Sequence, residues 1–202
     1  MILAIDTSTA ACTAALFESG GECVGRRDQV IGRGHAERLA PMLAELLDGR
    51  RAETILVGVG PGSFTGIRVG IAAAHGLAIG WNAELSGMSS LALLAVAAGV
   101  EEEIAAAMLG GHGELFVQQF GQALSPKTEI LNLAPAAAAA AISAHHVAGP
   151  GAEVLVDARG WGTAIHAWPA AAGALRLPLA LRTLPPVPVY ARAPDAKARS
   201  AA

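Results

Sequence analysis

Within the first hundred residues, hydrophobic periodicity switches from two to about 3.6 and back in a fixed order, and that order leaves few ways to fold. MILAID at 1–6, CTAALF at 12–17 and a stretch at roughly 22–30 are short apolar or alternating segments separated by DTSTAA and ESGG. They predict a three-stranded meander. Leu39, Leu43, Leu46 and Leu47 then recur at helical spacing, with Ala36 and Ala40 on the same side, and Gly49 ends the pattern. TILVGVG at 54–60 is apolar on both sides, as a buried parallel strand is. A Pro-Gly turn, a helix over 63–81, a strand LSGM at 85–88 and an apolar helix over 89–98 follow. A meander followed by crossover helices places this half of the chain in the α/β class.

A polar break at Glu101, Glu102 and Glu103 opens a second unit. IAAAML at 104–109 and ELFVQQF at 114–120 read as two strands around the glycine-rich GGHG. The alanine-rich 134–146 is read as a helix, with low-complexity padding as the alternative. Residues 152–157 are expected to form a strand and GWGTAIHAWP a helix, before a Pro-rich 185–188 leads into VYAR and a polar tail. The element order of the first unit is that of a ribonuclease H-like lobe, and the second is a compact companion.

Of the 202 residues, 53% are apolar and only 15% charged, so the chain can collapse, and disorder or a charge-driven polymer is excluded. The apolar share rests on alanine; there are three Trp, one Tyr and four Phe. No apolar run reaches the roughly 18 residues needed to cross a bilayer, which predicts a soluble chain without a membrane partner. Met1 opens onto ILAI and Asp6 without the basic start and long apolar stretch of an export signal, so a cytoplasmic location is expected. Cys12 and Cys23 are read as two reduced, buried thiols rather than a disulfide. The formal net charge of −3 excludes a chain that holds nucleic acid alone, since phosphate contacts need a basic excess.

The segment GVGPGSFTGIRVG at 58–70 is the most informative. Its Gly-Pro-Gly removes side chains where a strand hands over to a helix, and Ser63 is placed to cap that helix. Two readings stand: a helix N-terminus beside Arg68 suited to an anion, or a tight strand-to-helix turn. The pattern is neither GxGxxG nor GxxxxGK[ST]. Gly66, Gly70, Ala73 and Gly80 lie along one helix face, and each glycine there weakens the helix, so something comes close to that stripe. It is either the chain's own sheet or a helix of a second subunit.

MILAIDTSTAACTAAL, GRGHAERLAPML, GVGPGSFTGIRVGIAAAHGLAIG, GMSSLALLA and PVYAR occur in the order found in the TsaB (YeaZ) family. The resemblance is close over 1–98, diffuse over 99–187, and returns at 188–192. It implies an α/β fold of two ribonuclease H-like lobes of the actin, sugar-kinase and Hsp70 type, the second lobe reduced. The first lobe would span 1–100, the second 101–187, and a C-terminal segment with a frayed tail 188–202. It also implies a noncatalytic scaffold in bacterial synthesis of N6-threonylcarbamoyladenosine in tRNAs reading ANN codons. Such a subunit pairs with the catalytic paralogue TsaD and the ATPase TsaE, forms a homodimer when alone, and meets tRNA only through the complex. The implied partner interface is His35, Leu39, Leu43, Ser63, Phe64, Thr65, Gly66, Arg68, Gly70 and Ala73. No cofactor of its own is expected, although ATP or ADP would bind weakly or at the complex interface.

TsaD-like relatives carry a metal-binding His-Leu-Glu-X-His whose histidine positions fall here on Ser90 and Leu94, so no metal site is expected. The Asp-Ala-Arg that many family members show before a Gly-Glu is replaced by LGGHGE at 109–114. Asp6, Thr7 and Ser8 occupy the first hairpin, where kinases of this superfamily hold phosphate; a turn-stabilising Asp-Thr-Ser is the competing reading. An ATP-dependent small-molecule kinase and a metallopeptidase remain as alternative functions. The first lacks a recognisable second-lobe phosphate loop, and the second lacks a metal set or a legible partner for Ser63.

Overall fold

The computed structural model describes residues 1–191; the expected tail beyond them, Arg192 included, lies outside the described residues. In the first lobe, β1 (Ile2–Asp6), β2 (Ala11–Phe17) and β3 (Cys23–Val30) form the meander, followed by α1 (His35–Leu47), β4 (Thr54–Gly58), α2 (Phe64–Trp81), β5 (Glu84–Met88) and α3 (Ser90–Ala97). The sheet runs β3-β2-β1-β4-β5, antiparallel through the meander and parallel from β1 through β4 to β5. The second lobe repeats this with β6 (Ile104–Leu109), β7 (Leu115–Phe120), β8 (Leu131–Leu133), α4 (Pro135–Ala141), β9 (His146–Ala148), α5 (Ala152–Arg159) and β10 (Thr163–Ile165). Its order, β8-β7-β6-β9-β10, is the first sheet's order renumbered. The fold is the two-lobed, actin-like α/β type. The reduction of the second lobe lies in element length, since β8, β9 and β10 have three residues each while no strand is lost.

Strand alternation sorts the core into layers. Leu3 and Ile5 face Leu39, Met42, Leu43, Ile67 and Ile71 of α1 and α2, whereas Ala4, Ala15 and Phe17 face the other way, into the apolar layer that holds Ala171, Ala174 and α3. In the second sheet Ala105, Ala107, Leu115 and Val117 face α4 and α5, while Ala106, Met108, Phe116 and Phe120 also face α3. The helix between the two sheets is therefore apolar all round, and every residue from Ser90 to Val96 is buried. A short helical turn at Ala171–Arg176 shares this middle layer and is tied to β2 by the Ala171 amide, which donates to Thr13 Oγ1 at 3.0 Å. Beyond it the chain stays with the first lobe: Gly87 bridges Leu184, and the Val189 amide donates to the Val59 carbonyl. Much of 171–187, assigned to the second lobe on sequence, thus packs on the first.

Four expectations need correcting. The helix expected over 134–146 stops at Ala141, because Gln119 Oε1 accepts the Ser143 and Ala144 amides and the Arg159 guanidinium takes the carbonyls of Ile142, Ala144 and His145. Side-chain partners outbid the helix for those backbone groups, and His146 begins β9 instead. Residues 152–157 are helix, with Ala152 and Leu155 buried one turn apart and Gly160 closing it in the left-handed conformation. GWGTAIHAWP contains β10, punctuated by Gly160 and Gly162. Cys23 is exposed on the edge strand β3, while Cys12 is buried beside Met42 and burial pushes its thiol up to about 11.

Because α3 fills the space between both sheets, the lobes should unfold together. Leu93→Ala, at a fully buried site, is expected to cost about 2–5 kcal/mol and to lower one shared transition in calorimetry; two separate transitions would contradict the shared core.

Candidate functional site: the first hairpin and the cleft beside it

The β1–β2 hairpin meets the start of α2 and the start of α3 at one point. Asp6 is fully buried: its Oδ1 accepts from the Ser8 amide at 2.9 Å and the Ser8 hydroxyl at 2.7 Å, and its Oδ2 accepts from Ser90 Oγ at 2.6 Å. Burial pushes the Asp6 carboxyl above its ordinary range, against the lowering pull of the bonds from Ser90 and Ser8. Thr7 Oγ1 donates to the Gly66 carbonyl at 2.7 Å, and the Ser63 amide donates to the Ser8 carbonyl at 2.7 Å. Ser63 Oγ accepts the Gly66 amide, so it caps α2.

The glycines of 58–70 are the counterpart of this hairpin. A Cβ at Gly58 would collide with the Asp6 carboxylate, at Gly62 and Gly66 with the carbonyls of Ser8 and Thr7, and at Gly70 with the Thr7 hydroxyl. The close approach inferred from the stripe is therefore made by the chain's own hairpin. The stripe is split: Gly66 and Gly70 face inward, while Gly80, like Gly76 outside the stripe, is exposed with nothing near a Cβ. The expected interface divides likewise. His35, Leu39 and Leu43 are buried within the lobe, and Ala73 is half-buried in the same layer; Ser63, Phe64, Thr65 and Arg68 are exposed. The side chains of Asp6, Thr7 and Ser8 are spent on internal bonds, as in the turn-stabilising reading. Ser90 and Leu94 are buried in α3, and among the described residues no group of three or more His, Cys, Asp or Glu could hold a metal.

Between the lobes, beside the hairpin, lies a cleft of about 820 Å³. Ser8, Thr9 and Ala10 form part of one wall with Phe64, Ile67 and Arg68 of α2. Met108, Gly110 and Phe116 come from the second sheet. Trp168 and Tyr190 close it, so four of the chain's eight Phe, Trp and Tyr converge here. At its mouth the Arg68 guanidinium sits over the Phe64 ring, 3.5 Å from the centroid, and Nε donates to Tyr190 Oη at 3.1 Å. Sequence reasoning missed Met108, Phe116, Trp168 and Tyr190 as one site. The available signal was the scarcity of aromatics, which made each one worth placing.

Two measurements test this geometry. Gly66→Ala should destabilise the fold by about 1–3 kcal/mol through overpacking, while Gly76→Ala on the open face should stabilise it by about 0.5–1 kcal/mol, as read by urea denaturation. Asp6 has a raised folded-state pKa, so its stabilising contribution is complete below the ordinary carboxylate value and falls as pH rises through the raised one. The stability of the parent relative to Asp6→Asn should accordingly shrink as pH is raised across that window; a difference independent of pH would contradict the buried carboxyl.

The sequence model of the family described as TsaD, tRNA N6-adenosine threonylcarbamoyltransferase, matches residues 28–159. The chain is 39% identical over 99 residues to a protein of Escherichia coli (strain K12), and 38% identical over 102 residues to one of Haemophilus influenzae. Both are named tRNA threonylcarbamoyladenosine biosynthesis protein TsaB, and the alignments cover 46% and 48% of this chain and 42% of each relative. The chain thus spans less than half the length of the curated relatives it matches. The solved structure of YeaZ from Pseudomonas aeruginosa superposes with a TM-score of 0.79 at 29% identity, covering 94% of this chain and 98% of that one. A second structure, of an uncharacterized protein with similarity to peptidase YEAZ from Pseudomonas aeruginosa, gives 0.79 at 30% identity over 95% and 99%. With the family model matched over more than half the chain and the likeness to a solved relative running nearly end to end, this chain belongs to the TsaB (YeaZ) family of TsaD-like proteins.

Proposed function

We propose that this chain is a noncatalytic partner subunit in the synthesis of N6-threonylcarbamoyladenosine in tRNA, acting by pairing with a TsaD-like catalytic paralogue. The observation that carries this reading is the state of the first hairpin. In a phosphate-handling member of the superfamily, its polar side chains would face a ligand; here Asp6, Thr7 and Ser8 bond to Ser90, Gly66 and one another. The names of the Escherichia coli and Haemophilus influenzae relatives supply the pathway.

The shared middle layer weighs against a kinase. Enzymes that close two lobes over a substrate need a hinge, and here α3 and the 171–176 turn bury one apolar core common to both sheets. The partner surface is best placed on the outer side of α2. Thr65, Arg68, Ala72, His75, Gly76 and Ile79 are all exposed and recur at helical spacing, and Ile79 is 83% exposed despite being fully apolar. The small residues in the middle let another helix come close. Self-association of the isolated chain would use the same face. Recruitment of a TsaE-like ATPase, contact with tRNA through the assembled complex, ATP or ADP at the complex interface, and a cytoplasmic location complete the proposal. No helix among the described residues is long and apolar enough to cross a membrane.

Reconstitution tests it. The chain, its TsaD-like and TsaE-like counterparts and the threonylcarbamoyl-adenylate donor should modify tRNA, omission of the chain should stop modification, and the chain alone should show neither modification nor ATP hydrolysis. Ile79→Glu should keep the parent's melting temperature and lose co-purification with the TsaD-like protein by at least about tenfold. Turnover by the chain alone, or undiminished pairing by the variant, would count against the reading.

A further inference from the structure

We infer that the inter-lobe cleft is a binding site for a compact apolar molecule carrying a single anionic group, such as a carboxylate or sulfonate. Its volume, about 820 Å³, lies within the range of small-molecule pockets. Its walls come from both lobes and are built mainly of Phe64, Ile67, Met108, Phe116, Trp168 and Val189. Asp6 and Thr7 are consumed behind the hairpin, and the hydroxyls that do line the cleft, those of Ser8, Thr9 and Ser63, are uncharged and already bonded to Asp6, the Ala11 amide and the Gly66 amide. One fixed charge does face it. Arg68 lies on the Phe64 ring with Nε held by Tyr190, and among the described residues its terminal nitrogens have no partner and it makes no ion pair.

That arrangement is pre-organised. The ring and the tyrosine hydroxyl hold the guanidinium plane at the mouth, so little side-chain freedom is left to lose when an anion docks on the remaining N–H groups. An apolar body fills the cleft behind it. A single cation matches a single anion, while a nucleoside triphosphate would leave most of its charge uncompensated against Met108 and Phe116. Arg68 belongs both to the cleft mouth and to the exposed side of α2, so ligand binding is measured on the chain alone, where no partner covers that side.

The test uses two probes that differ only in the charge. Anilinonaphthalene sulfonate and its neutral analogue phenylnaphthylamine are titrated into the full chain by fluorescence. The sulfonate should bind saturably at one site per chain and more tightly than the neutral probe; octanoate should displace it, and ATP should not. Arg68→Gln should weaken sulfonate binding about tenfold, the loss of one charge-assisted contact, and leave the neutral probe unchanged. Ala10→Trp, on the hairpin wall, should block both probes, and melting curves of both variants confirm folding. Equal binding of the two probes, no effect of either folded variant, displacement by ATP but not octanoate, or no saturable site would each overturn the assignment.

Discussion

Everything at the centre of this molecule depends on burying one carboxyl. Asp6 ends β1 with no exposure to solvent, and an unpartnered carboxyl there would be costly, so Ser8 and Ser90 surround it with donors. Those bonds have consequences beyond the aspartate. They turn the hairpin so that its backbone carbonyls and the Thr7 hydroxyl meet α2, and they fix the first residue of α3, whose amide also bonds the Gly60 carbonyl. Three elements distant in sequence are thereby locked at one point, and each glycine of 58–70 that faces it is small because the hairpin occupies the space a side chain would need.

Fixing α3 fixes both lobes. Its Leu91, Leu93, Leu94 and Val96 are buried, and burial of side chains of this size is worth about 1.5–3 kcal/mol each. The two sheets share that stabilisation. A layer buried by both lobes opposes their separation, and the cleft beside the hairpin is lined from both. Its chemistry is set by which residues line it.

Legibility in the sequence followed the strength of local signals. All three strands of the meander, the two long helices and the order of the first lobe were readable, because α1 and α2 each bury one face and keep the spacing of 3.6 over three turns or more. In the second lobe the elements shrink to between three and eight residues after β7, too short for periodicity to tell helix from strand. AEVLVDAR and TAI were consequently exchanged. The fate of the alanine run was decided by Gln119 and Arg159, partners that local propensity does not contain. A signal that was present and unread is the recurrence of Gly-Pro-Gly at 60–62 and 149–151, each at the same strand-to-helix turn of its lobe. At the site, the glycines showed that something came close. Only the hairpin's position could show what.

The same repeat brings out how the lobes differ. In each, a Gly-Pro-Gly turn passes tightly over the central strand or the hairpin it leads into: Gly62 over Ser8, and Gly149 over Ala107, whose carbonyl also accepts the Gly151 amide. Yet only the first hairpin carries Asp-Thr-Ser, and LGGHGE at the second offers no buried carboxyl to organise its neighbours. The helix after the first Gly-Pro-Gly then runs 18 residues and that after the second only eight. At about 1.5 Å per residue, the longer helix keeps a continuous exposed side after its inner face has been buried, and the shorter one has too few turns to do both. A chain built from one motif twice thus acquires, among the described residues, its longest helix and that helix's exposed side in the lobe whose hairpin is locked from within.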